Sequence, residues 1–141
     1  MQDFFITDFL PSKALDKYLR WYENEWEPQL GFSFFDHPFD IAKQCGRFDH
    51  GRYRVLALRT ELADEHKAEA VAGFLNLPDV VLTRRNVRAE RSDGKLYQEF
   101  KKTLVVPPEI LDKVYNSPLC QHCFSRSEQE ALRRKWSGRL S

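Results

Sequence analysis

At 141 residues, with 42% hydrophobic and 30% charged side chains, the chain can bury a real core without metal or disulfide staples, and it is too apolar to be disordered. Eleven Phe, five Tyr and three Trp against one Met make aromatic rings the main core material. A net charge of +1 excludes the dense basic stripe of a dedicated nucleic-acid binder, and no apolar run approaches the ~20 residues needed for a membrane span. One domain covering residues 1–141 is the expectation from length.

The charge is unevenly spread. Residues 1–40 hold three basic and eight acidic side chains, a net of −5, so the remainder carries +6. Met1 to Leu10 lacks a basic flank, a long apolar run and a small-residue cleavage site, and no signal peptide is expected. Cys45, Cys120 and Cys123 form no disulfide framework, which suits a reducing cytoplasm.

In chain order, Pro11-Ser12 introduces Leu15, Tyr18, Leu19, Tyr22 and Trp26 at helical spacing, predicting a helix over 12–27 that Pro28 and Gly31 stop. The Phe-rich residues 32–42, with Pro38, read as an irregular, packed connection. Two apolar runs, Lys43 to Phe48 and Tyr53 to Arg59, flank Asp49-His50-Gly51 and predict a β-hairpin whose second strand is the more buried. Ala68, Val71, Ala72 and Leu75 predict a helix over 62–75, closed by Asn76-Leu77-Pro78. Glu61, between strand and helix, is favoured there by the helix N-terminus.

Residues 79–93 read as a short extended piece and then a polar loop, and Gly94 to Leu104 as a helix. Pro107-Pro108 starts another over 108–116, ending near Ser117-Pro118. Ser125-Arg126-Ser127-Glu128 is a capping box opening a last helix over 127–137, with Leu132 and Trp136 on one face. Trp136, together with Trp21 or Trp26, is expected in the core. The fold class expected is α/β, mostly helical, with a central β-hairpin.

Few residues announce chemistry. Cys120-Gln121-His122-Cys123 spaces two thiols for a shared zinc or a disulfide, but a structural zinc needs four ligands and no second pair is present. Ordinary cysteines just before a helix are the expectation, with no metal. His37, His50, His66 and His122 each stand apart from any recognisable nucleophile motif, and no catalytic residue is assigned. Arg84, Arg85 and Arg88, with Lys101 and Lys102, are the anion-binding candidates, because ammonium and guanidinium groups match phosphate or sulfate oxygens. No Gly-rich phosphate loop accompanies them.

Several stretches in order carry a resemblance: Trp21-Tyr22-Glu23-Asn24-Glu25-Trp26-Glu27-Pro28 with Gly31-Phe32, then His37-Pro38-Phe39, Arg54 to Leu62, and Phe74 to Leu77. Tyr97 to Lys102, Tyr115-Asn116-Ser117, and Phe124 through Trp136 complete it. Together they resemble the capsular polysaccharide synthesis proteins, a group placed with the sulfotransferase-like P-loop proteins, and specifically the distal half of that fold. The resemblance implies an α/β relative whose parallel sheet is wrapped by helices, with the phosphate loop and an Arg/Ser pair for the donor's 3′-phosphate lying upstream of Met1. It therefore implies no cofactor for this chain alone, and 3′-phosphoadenylyl sulfate only if a missing half is supplied. It implies a glycan acceptor and a protein inactive by itself. The alternatives are a small binding or regulatory module whose exposed aromatic surface a protein partner covers, or the later half of a split sulfotransferase.

Overall fold

A computed structural model describes residues 13–83 and 94–138. The chain divides into two units, one from residues 1–36 with 88–141 and the other from residues 37–87. The described residues are mostly helical, with one two-stranded antiparallel sheet. Among them no helix is long and apolar enough to cross a membrane.

Among the described residues the first unit opens with helix α1 (Lys13–Leu19), a π-helical turn (Tyr22–Trp26) and α2 (Glu27–Leu30). The predicted helix thus runs past Pro28 instead of stopping there. Proline lacks an N–H and crowds the carbonyl four residues back, which is tolerated where a helix begins. The widened turn supplies that beginning: Glu27 N–H bonds to the Tyr22 carbonyl five residues back, and Pro28 opens α2. Gly31, at φ 77°, ends the run in the left-handed conformation that glycine adopts at no steric cost. Its rings and those of the following loop pack on one another. Tyr22 stacks on Phe34 at 4.7 Å, and Trp26 meets Phe32 edge-on at 5.6 Å. Tyr18 and Trp21 stay exposed.

The rest of the described part of that unit is four helices. Helix α4 (Gly94–Thr103) leads through an extended Leu104 to Val106 into α5 (Pro108–Tyr115), α6 (Pro118–Cys123) and α7 (Arg126–Trp136). Leu104, Val106, Ile110, Leu111, Tyr115 and Cys120 form the buried cluster, with Leu15, Phe100, Leu132 and Trp136 packed against it. Ser125 caps α7 with a full capping box, as expected from the sequence. Helix α6 was not expected: Ser117 accepts from the Cys120 N–H and Pro118 sits in the first turn, so the two residues read as a stop also make a start. Buried Gln129 joins the helices, donating to the Cys120 and Phe124 carbonyls and accepting from Gln121 at 2.9 Å.

In the second unit, β1 (Cys45–His50) pairs antiparallel with β2 (Tyr53–Leu58) in a register running from Cys45 opposite Leu58 to His50 opposite Tyr53. Strand β1 starts two residues later than predicted. Lys43 N–H bonds to the Asp40 carboxylate and Gln44 takes φ 55°, so this stretch is a turn. The hairpin loop is Gly51-Arg52, with Gly51 at φ 55°. The buried strand positions, Gly46 and Phe48, lie on β1 and not on β2, against expectation. A Cβ on Gly46 would sit 3.0 Å from both the Phe39 ring and the Pro38 carbonyl. Helix α3 (Asp64–Leu75) follows and ends at Asn76, whose φ of 60° closes it where the sequence placed the stop. Glu61 lies ahead of α3 and pairs with Arg59 at 3.7 Å.

Candidate functional site

Helices α4 and α7 bring the site together by where they end. In α4, Gln98, Lys101 and Lys102 recur at three- and four-residue spacing and share a face, while Phe100 turns to the core. The helix closes at Thr103, whose hydroxyl donates to the Glu99 and Phe100 carbonyls. Beyond it, alternation buries Leu104 and Val106 and leaves Val105 exposed. Val106 N–H then donates to the Trp136 carbonyl at 2.7 Å, fastening this segment to the last turn of α7. Gly138 takes φ 71°, and a Cβ there would meet a Val105 methyl at 2.9 Å. Glycine is required on both counts.

The result is a groove of about 470 Å³ lined by Gln98, Lys101, Lys102, Val105, Lys135 and Trp136. Trp136 is partly buried against the cluster and also lines the groove. Lys135 Nζ lies 5.0 Å from the Trp136 ring centroid, and Lys101 Nζ 5.5 Å from that of Tyr97. Arg133 is spent elsewhere: it pairs with Asp112, donates to Asn116 at 3.0 Å and lies over the Tyr115 ring. Three lysines therefore line the groove, on the last turns of two helices whose C-terminal dipoles favour cations there. Such an arrangement can hold an anion. It brings no nucleophile and base together.

Of the anion-binding candidates read from the sequence, Lys101 and Lys102 lie in this groove. Arg84, Arg85 and Arg88 lie outside the described residues. Sequence reasoning missed Lys135, Trp136 and Gln98 as their neighbours. Gly138 and the basic last turn of α7 mark the helix end, but the pairing of residue 106 with residue 136 is non-local and leaves no sequence signal.

Cys120 and Cys123 lie just ahead of α7, as expected, and both are buried; the unexpected part is that they belong to the short helix α6. His122 packs edge-on against Phe34 and Phe35 in the aromatic cluster. Burial raises the Tyr22 pKa, with a smaller push from Cys123. His37 stacks flat on Phe48 at 3.9 Å, with His50 against its edge. Cys45, His66 and Glu69 share a second cleft of about 540 Å³, yet His66 and Glu69 are exposed. Among the described residues no group of three or more acidic, histidine or cysteine side chains could hold a metal.

The family model described as "Putative capsular polysaccharide synthesis protein" aligns with residues 6–125. No curated protein and no solved structure matches the chain.

Proposed function

This chain belongs to the family of capsular polysaccharide synthesis proteins, and from that premise we propose that it serves the acceptor side of a sulfotransferase-related reaction, holding an anionic glycan without binding the sulfuryl donor by itself. The observation that carries the reading is the character of the groove. Its positive charge comes from Lys101, Lys102 and Lys135 on the C-terminal turns of two helices. A donor site of the sulfotransferase kind needs the opposite: backbone N–H groups of a Gly-rich loop opening a helix N-terminus, aimed at the phosphates. The sequence contains no such loop. Lysines on mobile stems attract an anion without fixing it for in-line transfer.

Calorimetry of the purified chain against 3′-phosphoadenosine 5′-phosphate, at low and physiological salt, tests this. Weak binding that fades with salt is expected, since exposed charges are screened. Submicromolar, salt-resistant binding would overturn the reading and restore a donor site.

A further inference from the structure

We infer that the groove between the ends of α4 and α7 is a binding site for an acidic sugar residue, its ring against Trp136 and its carboxylate, sulfate or phosphate on Lys101, Lys102 and Lys135. This rests on the acceptor-side reading and names the chemistry of the ligand.

Four features of the groove converge on that class. Its volume of about 470 Å³ falls in the range of about 300–1,000 Å³ usual for small-ligand clefts. The part of Trp136 outside the core offers an aromatic surface, whose electron-rich face attracts the weakly positive C–H bonds of a sugar as it attracts the Lys135 ammonium. In the last turn of α4 the Lys101 and Lys102 carbonyls are among those its own backbone does not satisfy, and they are acceptors for sugar hydroxyls, whereas the Trp136 carbonyl of α7 is already taken by Val106. Gln98 adds a side-chain amide that both donates and accepts.

The same features disfavour a nucleotide. Both helices present their C-termini, which offer carbonyl groups and none of the backbone N–H donors that cradle a phosphate chain at a helix N-terminus. Lysine, a compact hydrated charge, suits one anionic group per sugar better than the paired oxygens that an arginine fork clamps.

The test labels the full chain with 5-fluorotryptophan, giving one ¹⁹F resonance for each of Trp21, Trp26 and Trp136, assigned with Trp136→Phe. Four probes are titrated: an oligogalacturonate, its neutral methyl ester, inorganic phosphate and 3′-phosphoadenosine 5′-phosphate. The oligogalacturonate should shift the Trp136 resonance alone, and the Lys101→Ala/Lys135→Ala double variant should weaken it by about tenfold, or ~1.4 kcal/mol. Circular dichroism of that variant should be unchanged, because both lysines are exposed. Equal binding of the neutral ester, or of phosphate alone, would overturn the proposal, since ring and charge must act together. Tighter binding of the nucleotide through these lysines would overturn it too. If the oligogalacturonate binds but neither moves Trp136 nor depends on the lysines, the groove assignment fails while the acceptor-side reading stands. Submicromolar nucleotide binding that ignores the lysines would sink that reading and leave the groove untouched.

Discussion

The two units solve the problem of burial differently. The helical unit gathers Leu104, Val106, Ile110, Leu111, Tyr115 and Cys120 into one contiguous cluster and closes its helix starts with Ser117 and Ser125. The hairpin unit has two strands, Phe48 as its buried large side chain among the described residues, and a helix whose N-cap, Ala63, has no side chain to bond the first turn. Leu75, Leu77 and Val81 remain exposed there. A two-stranded sheet is marginal alone and needs packing against a helix. The contrast teaches that stability should be concentrated in α5 to α7, and the sharpest way to break that claim is to remove apolar volume from each unit in turn.

Leu111→Ala, at a position 6% exposed, should cost about 2–5 kcal/mol by lost transfer energy and a residual cavity. Leu75→Ala, at 54% exposed, should stay within about 0.5 kcal/mol, as surface changes usually do. Urea denaturation of both variants checks this, and equal losses would dissolve the distinction. Trp136→Ala belongs between them, because the ring is only partly enclosed. The larger cost expected of a fully buried tryptophan does not apply.

Helix caps give the next effect in size. Ser125→Ala removes the bond its hydroxyl accepts from the Glu128 N–H and the one it donates to the Glu128 carboxylate, while the Ser125 N–H keeps its own bond to that carboxylate, a loss of about 0.5–2 kcal/mol. The hairpin unit offers the reverse experiment. Ala63 already has the extended backbone of a capping residue, φ −58° and ψ 144°, so Ala63→Asp should add about 1 kcal/mol. Thermal unfolding of each variant reads the two signs. A gain at Ser125 or a loss at Ala63 would mean that tertiary packing, not capping, sets these helix ends.

How far the sequence disclosed this structure follows the range of the forces involved. Local chemistry was legible: the Ser125 capping box, the Asn76 stop and the hairpin all came from neighbouring residues. Misreadings arose where one residue serves two purposes. Pro28 was read as a stop but opens α2 after a π-helical turn, and Ser117-Pro118 was read as a stop but opens α6. The Asp40 carboxylate holds the Lys43 N–H and delays β1, a side-chain bond that apolar patterning does not register. Part of the described groove was visible as Lys101 and Lys102. Lys135 and Trp136 join it through the bond between Val106 and Trp136, thirty positions apart in the chain.

The smallest effect expected concerns alkaline pH, and it again separates the units. Tyr22 and Tyr115, both in the helical unit, have pKa values raised mainly by burial, which penalises the phenolate. Cys123 adds to the rise at Tyr22 and Cys120 to that at Tyr115, where Arg133 over the ring pulls the other way. An unfolded tyrosine ionises near pH ~10. Below that value both states keep the proton and these groups contribute no pH dependence. As pH rises past it, the unfolded chain loses protons that the folded chain retains, so the unfolded state is favoured and stability falls until the folded pKa is passed. Tyr22→Phe and Tyr115→Phe remove the titrating hydroxyl and keep the ring. Each should therefore lose less stability than the parent between pH about 8 and about 11, measured as the difference in urea midpoint, which cancels the ionisation of the lysines. Parallel curves for parent and variants would show that the fold holds neither the Tyr22 nor the Tyr115 phenol from water.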